Sequence, residues 1–153
     1  MNAFQLLKED HQKVSGIFQQ LEPTTERAEK TRTELFAKLN EELSIHAQIE
    51  ETIFYPAIKQ AAETREIVLE GFEEHHVIKT LLAELASMPV ATEQWKAKFS
   101  VLKENVEHHV EEEEGEMFPK ARQVLDEKQI NQLGERMAEM KKQLQEQAKS
   151  AGA

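Results

Sequence analysis

Residues 46–56 read His46-Ala-Gln-Ile-Glu50-Glu51-Thr-Ile-Phe-Tyr55-Pro56, and residues 109–119 repeat the pattern as His109-Val-Glu-Glu-Glu113-Glu114-Gly-Glu-Met-Phe118-Pro119. Both copies place a histidine four residues before a glutamate, and both end in an aromatic residue followed by proline. On an α-helix, residues four apart lie on the same face, one turn from each other. Each copy can therefore direct an imidazole and a carboxylate to one side of a helix, as paired metal ligands do.

The two copies belong to a larger internal repeat. An acidic residue and a histidine precede each copy, as Asp10-His11 and Glu74-His75, and these histidines lie 35 and 34 residues before the histidines that open the copies. Apolar residues follow both pairs at +3, +6, +7 and +10 from the histidine. These spacings indicate two helix pairs that are related by duplication.

Composition and periodicity both favour helices. The 153 residues include only five glycines and four prolines, and apolar residues recur at steps of three and four, the spacing of a core-facing stripe. Pro56 and Pro119 lack the N–H that a helix needs, so each is expected to bend or interrupt its helix beyond the motif. Five helices are predicted. The first ends near Glu22, the second runs through the first copy to about Ala57, and the third spans about 65–87. The fourth runs from a cap at Thr92 through the second copy, and the fifth begins near Asp126.

The predicted fold is therefore all-α, an up-down-up-down four-helix bundle with an additional C-terminal amphipathic helix. A chain of 153 residues suits one domain with a single core. We expect residues 1–125 to form the bundle. Residues 126–153 would form the last helix and a frayed tail, which either pack on the same domain or make a dimer contact.

Charge and residue content exclude several classes of function. The formal net charge of −10 would repel phosphate backbones and anionic lipid head groups. No apolar run approaches the ~20 residues of a membrane helix, and the N-terminus has no secretory signal pattern. Cysteine is absent, so any metal must use nitrogen and oxygen donors. We expect a cytoplasmic protein that binds neither nucleic acid nor membranes.

Polar residues interrupt the apolar stripes of all four predicted bundle helices. Four histidines occupy core-facing positions, and two of them are followed one turn later by a glutamate. Burying a carboxylate without a partner costs several kcal/mol, and a divalent ion would compensate for that cost. The predicted metal ligands are His11, His46, Glu50, His75, His109 and Glu113.

Other polar residues near the motifs receive different interpretations. His76 and His108 are adjacent to predicted ligands but lie about 100° around the helix from them. Together with Tyr55, they are candidates to support the ligands rather than to bind the metal. Glu51 and Glu114 follow the motif glutamates and are interpreted as solvated flanks.

The order His, His-x-x-x-Glu, His, His-x-x-x-Glu on successive helices resembles the hemerythrin-like, or HHE cation-binding, family across roughly residues 5–122. The resemblance implies a four-helix bundle around a non-haem di-iron centre with an oxo or hydroxo bridge. Carried over by position, the histidines of each helix pair would bind one iron, while Glu50 and Glu113 would bridge the two irons. The histidine pairs are His11 with His46 and His75 with His109.

Oxygen-carrying hemerythrins differ from this chain at two ligand positions. They carry a further histidine on the third helix, whereas the positions four before and four after His75 are Gly71 and Lys79. They also space the last histidine and an aspartate by five residues, whereas His109 and Glu113 are four apart. One nitrogen donor fewer leaves a coordination position open, which favours chemistry or sensing over reversible oxygen transport.

The leading functional hypothesis is a di-iron protein that binds or reduces a small oxidant, namely dioxygen, hydrogen peroxide or nitric oxide. The main alternative is an iron or oxygen sensing protein without turnover, so the sequence leaves open whether the chain is a di-iron oxidoreductase. A third hypothesis is a metal-free helical module that forms a homodimer through its last helix. Zinc or manganese in place of iron also suits nitrogen and oxygen donors.

Overall fold

The computed structural model describes residues 1–152, and every regular element in that range is helical. Two π-helical segments, Glu50–Phe54 and Glu113–Met117, join α2 to α3 and α5 to α6, so each pair forms one continuous rod. The α-helices are α1 (Ala3–Leu21), α2 (Glu29–Ile49), α3 (Tyr55–Lys59), α4 (Ala62–Ala86), α5 (Glu93–Glu112), α6 (Phe118–Val124) and α7 (Glu127–Gly152).

The predicted up-down-up-down bundle consists of four rods, which are α1, α2 with α3, α4, and α5 with α6. Helix α7 is the predicted additional helix. Helix α1 packs on α2, and α4 packs on α5. The Asn2 side chain accepts a hydrogen bond from the Gln5 N–H and caps α1, while Thr92 caps α5 by accepting from the Trp95 N–H. These findings confirm the all-α prediction and the cap at Thr92.

The apolar core consists of two clusters along the bundle. The cluster near the start of α1 contains Phe4, Leu7 and Phe118, and the cluster at the other end contains Phe18 and Trp95. On every rod the predicted ligands fall between residues of the first cluster and residues of the second. The packing of both clusters therefore fixes a buried polar layer across the middle of the bundle.

Helix α7 packs on α1 and α2 of its own chain. Ile130, Leu133 and Met137 of α7 are buried in the first cluster. A Cβ added at Gly134 would lie 2.4 Å from the Met1 carbonyl oxygen, so only glycine permits this close crossing of the N-terminus. Pairing of α7 with a second subunit stays a prediction, as does the division of the chain at residue 125.

The prolines do not interrupt their helices, which continue through the π-helical segments, and the expectation that their effect stays beyond the motif was wrong. Tyr55 N–H bonds to Glu50 O and Phe118 N–H bonds to Glu113 O, five residues back. Since the following proline has no N–H and its ring would clash with the carbonyl four residues back, a wider turn accommodates it. The effect reaches back to the motif glutamates, which begin both π-helical segments.

None of the helices within residues 1–152 combines the length and the apolar content needed to cross a bilayer.

Candidate metal centre

The structure brings all six predicted ligands together in the polar layer. Each histidine comes from a different rod, and the two glutamates are the first residues of the π-helical segments. No member of the set is more than 7% exposed. Their roles as metal ligands stay predictions, but their convergence is a property of the fold.

Glu50 contacts histidines from two helices. Its Oε1 lies 3.1 Å from His46 Nε2 and 3.0 Å from His75 Nε2. The same His75 nitrogen lies 3.2 Å from His109 Nε2. Three imidazoles thus point their Nε2 atoms toward one carboxylate.

Glu113 occupies the matching position in the second half of the repeat. Its Oε1 lies 3.0 Å from His11 Nε2, and its Oε2 lies 3.2 Å from His109 Nε2. The two oxygens of Glu113 thus face histidines of different helix pairs.

The donor atoms divide into two overlapping groups, in each of which all ligand atoms lie within 4.8 Å of one another. Glu113 belongs to both groups. The division separates the histidines of the first helix pair from those of the second. One group comprises Glu50, His75, His109 and Glu113, and the other comprises His11, His46 and Glu113.

Every histidine of the centre bonds a carboxylate through its outward nitrogen, Nδ1. When the ring is neutral, this Nδ1–H donates to the carboxylate, so the Nε2 lone pair faces inward, as metal-ligating histidines require. The acids thereby fix both the tautomer and the orientation of the ring. The pairs are His11 with Glu114 (2.6 Å), His46 with Asp10 (2.9 Å), His75 with Glu51 (2.8 Å) and His109 with Glu74 (2.6 Å).

The interpretation of Glu51 and Glu114 as solvated flanks was wrong, because each bonds a buried histidine while staying partly exposed. Asp10 and Glu74 were recognised only as parts of the repeat. The repeat could nevertheless have identified these acids as partners of the histidines, since all four recur at matching positions in the two halves. Each acid bonds a histidine of another helix, and sequence spacing alone does not reveal that pairing.

Tyr55 lies among the donor atoms. Its hydroxyl donates to Glu113 Oε2 at 2.6 Å and lies 3.3 Å from His75 Nε2. A Cβ added at Gly71 would lie 3.0 Å from the Tyr55 hydroxyl oxygen. The glycine at this position therefore makes room for the phenol.

The two remaining histidine candidates, His76 and His108, lie on the solvent-exposed surface of the bundle. His76 is exposed and does not reach the centre. The His108 side chain is 65% exposed, with Nε2 at 3.0 Å from Glu112 Oε1 and 3.8 Å from Glu74 Oε2. His108 therefore approaches the centre only through Glu74, the acid that bonds His109.

Electrostatics in the polar layer follow from burial and opposite charge. Burial alone would lower the pKa of His46, but the Glu50 charge and the Asp10 hydrogen bond raise it to about 10. Burial opposes ionisation of Glu50, yet the charge of His46 holds its pKa well below the usual value. Burial and the charges of Glu113 and Glu50 raise the pKa of Tyr55 well above its ordinary value.

The donor set fits a metal centre. His46 Nε2 lies close to Glu50 Oε1 without the alignment of a hydrogen bond, and both His46 Nε2 and Glu50 Oε2 are buried without a hydrogen-bond partner. Buried polar atoms normally have partners. A divalent cation would accept the lone pairs of the inward nitrogens and compensate for two buried carboxylates.

A small cavity adjoins the four histidines. The space open to a water-sized sphere is about 30 Å³, which is room for one or two molecules of that size. Apolar side chains, including Leu43, Ile78 and Leu82, form most of its remaining wall. Exposed Ser44 and Lys79 also line it, which places its opening between α2 and α4.

Residues 2–121 match the sequence profile of the hemerythrin HHE cation-binding domain. The chain belongs to this family. The match confirms the resemblance read from the histidine and glutamate pattern. Because the profile ends at residue 121, α7 lies outside the part of this HHE domain that it describes.

Similar proteins include one solved structure. A hemerythrin HHE cation-binding domain-containing protein from Mycobacterium kansasii has a TM-score of 0.85 and 29% identity, covering 97% of this chain and 90% of that one. An uncharacterized protein of Mycobacterium tuberculosis is 28% identical over 145 residues, which are 94% of this chain and 88% of that protein. A DNA nickase of Nostoc sp. is 26% identical over an alignment of 159 positions, gaps included, which covers 99% of this chain but 44% of that protein.

Proposed function

We propose that this HHE domain holds two iron ions and uses them to bind or reduce a small oxidant such as dioxygen, hydrogen peroxide or nitric oxide. The observation that carries the proposal is the pair of overlapping donor groups that share Glu113. The histidines and carboxylates in them suit iron.

The chain's own residues would prepare the centre for this role. His11 and His46 would hold one ion, His75 and His109 the other, and the two buried glutamates would neutralise part of the charge. Iron supplies the change of oxidation state when bound. The hydroxyl of Tyr55 holds Glu113 in place and is close enough to donate a proton at the centre. The apolar wall of the cavity favours a small uncharged ligand over bulk water.

Anaerobic reconstitution with ferrous iron tests this proposal. We expect two irons per chain by elemental analysis, followed by a change in near-ultraviolet absorption and loss of the oxidant when peroxide or oxygen is added. Two bound irons with neither change would overturn the redox function. Fewer than one bound metal ion per chain would overturn the metal centre.

Adjacent histidines provide a matched pair of variants for the experiment. His75→Asn removes a buried nitrogen of the polar layer, whereas His76→Asn changes an exposed side chain on the same turn. We expect H75N to lose iron and the oxidant-dependent absorption change. H76N should retain both at the level of the unaltered protein.

Metal identity requires its own comparison, because zinc and manganese also accept nitrogen and oxygen donors. Elemental analysis of protein purified anaerobically without added metal distinguishes them, because competition at equal concentrations favours zinc over ferrous iron at most nitrogen and oxygen sites. Two irons per chain support the proposal. Zinc or manganese without iron would contradict it.

Sensing of iron or oxygen without turnover is the second candidate function. The observation that favours it is the coupling of the polar layer to every rod of the bundle, since metal binding to such a layer would stabilise the folded state. A sensor would gain protease resistance on iron loading while consuming no peroxide. Consumption of peroxide over many cycles would instead identify an oxidoreductase.

Nucleic-acid chemistry is not part of this proposal, although one relative is a DNA nickase. This chain spans less than half of that relative and has a net charge of −10, which opposes binding to a phosphate backbone. Incubation with supercoiled plasmid and ferrous iron provides the check, with nicking that survives removal of oxygen as the contrary result.

A further inference from the structure

Helix α7 reaches the polar layer through one side chain. Lys141 Nζ lies 2.5 Å from Asp10 Oδ1. The side chains are 16% and 3% exposed, so this ion pair is shielded from solvent. A shielded charge-assisted hydrogen bond is stronger than its counterpart on an open surface.

Asp10 uses its second oxygen to hold a histidine of the centre. Oδ2 lies 2.9 Å from His46 Nδ1, while Oδ1 receives the lysine. One carboxylate therefore connects α7 to an inward-facing imidazole, and both of its oxygens are committed. Through this carboxylate, α7, which lies beyond the family profile that ends at residue 121, is connected to the predicted ligand His46.

The acid in the matching position of the repeat has different surroundings. Glu74 bonds His109 as Asp10 bonds His46, but it is about a quarter exposed. The other basic group near it is the exposed imidazole of His108, at 3.8 Å. Within the described residues, no lysine as well shielded as Lys141 supports the second half of the centre.

The other two acids are also less enclosed. Glu51 pairs with Lys79, whose side chain is 51% exposed. The Glu114 side chain is 37% exposed, and no lysine or arginine lies within ion-pairing distance of it among residues 1–151. The duplicated ligand pattern is thus supported unequally, with the most buried acid on the side of α7.

We propose that Lys141 is a positioning residue of the metal centre, which locks Asp10 so that His46 keeps Nε2 directed at the ion held by the first helix pair. The inference rests on the proposed metal centre. Through this contact α7 stabilises one of the two ion positions more than the other. Without the lysine, Asp10 is a buried anion with one partner, and both it and the imidazole gain freedom to turn.

Lys141→Met tests the proposal, because methionine keeps much of the apolar stem and removes the charge. Lys142→Met is the matched control, since it removes an exposed lysine next to Lys141 on the same helix. Cobalt(II) is the probe, titrated into the metal-free full chain and followed by its visible absorption, with a chelator in competition. The two stepwise affinities are compared among the variants.

We expect the unaltered protein to bind two cobalt ions and K141M to lose affinity for one of them by about 10- to 100-fold, the usual effect of removing an outer partner of a ligand. K142M should change either affinity by less than about threefold, as is usual for an exposed side chain away from the site. Lys141→Arg should restore much of the lost affinity. In a D10N background, K141M should have little further effect.

The contrary results are distinct. Equal affinities in K141M and K142M overturn the positioning role, and so does an equal loss for both ions, which a general destabilisation would produce. Failure of the unaltered protein to bind two ions overturns the proposed metal centre instead. Circular dichroism of the metal-free variants monitors folding. Should K141M lose helix content, the stepwise cobalt affinities of Lys141→Gln and of D10N are measured in its place, and the same two outcomes overturn the positioning role.

Discussion

At the scale of single residues, histidine orientation depends on acids from other helices. Each Nδ1 bonds a carboxylate from a different rod, so the packing of the bundle determines where each Nε2 points. A histidine that is merely buried would have no such constraint. This arrangement makes the outer acids nearly as important as the predicted ligands.

Glu114→Gln tests that conclusion at the most exposed of the four acids. Its carboxylate lies 2.6 Å from His11 Nδ1, and a neutral amide would accept the same hydrogen bond more weakly. We expect iron affinity to fall by about 10- to 100-fold, with helix content unchanged. Glu116→Gln, at a nearby exposed position, is the control. A chelator titration in which both variants match the unaltered protein would refute the role of Glu114.

Tyr55→Phe tests the hydroxyl that distinguishes the two halves. Tyr55 donates to Glu113 Oε2, whereas Phe118 at the matching position has no hydroxyl and Glu50 Oε2 has no hydrogen-bond partner. Removing a hydrogen bond to a charged group costs about 1.5–3 kcal/mol. We expect urea unfolding of the metal-free variant to show a loss of that size. A midpoint identical to that of the unaltered protein would contradict the hydrogen bond.

At the scale of elements, the π-helical segments set the register that brings Tyr55 inward. Each begins at a motif glutamate and ends just before an aromatic residue and a proline. The wider turn places residues five apart near the same face, so Glu50 and Tyr55 both reach the polar layer. In an ordinary α-helix, five residues would separate their directions by about 140°.

Pro56→Ala tests whether proline maintains this register. Alanine supplies an N–H for the Thr52 carbonyl, so a regular α-helix can compete with the π-helical segment. We expect the metal-free variant to lose about as much stability to urea as Y55F, because the Tyr55 hydroxyl would turn away from Glu113, while circular dichroism shows no loss of helix. In a Y55F background the change should add little. An unfolding midpoint equal to that of the unaltered protein would show that other packing fixes the register.

The sequence was sufficient to predict the helices and the inward position of the ligand candidates, because both depend on periodicity. His11, His46, His75 and His109 occupy steps of the same stripes that form the core. Glu51 was misinterpreted because its bond to His75 joins two helices, and periodicity within one helix does not describe such contacts. The π-helical segments were missed for a related reason, since proline predicts a disturbance but packing decides its form.

At the scale of the whole molecule, protons and metal ions compete for the same buried nitrogens. The pKa of His46 rises from 6.5 to about 10 in the metal-free fold, so folding favours its protonated form. Stability from that charge is fully present below pH 6.5 and is lost as the pH rises toward 10. The lowered pKa of Glu50 acts in the opposite direction, with stability present above 4.5 and lost as the pH falls.

The metal-free protein should therefore be most stable between about pH 4.5 and 6.5 and lose on the order of a few kcal/mol by pH 10. Bound metal replaces the proton on His46, so the loaded protein should show no such alkaline decline, and its metal affinity should rise with pH. Thermal melts of chelator-treated and iron-loaded samples across this range measure both effects. Burial lowers the pKa of His109, but the Glu113 charge and carboxylate hydrogen bonds raise it well above its ordinary value, so His46→Gln should reduce the alkaline decline without abolishing it. A decline of equal size in loaded protein would mean that His46 does not exchange its proton for the ion.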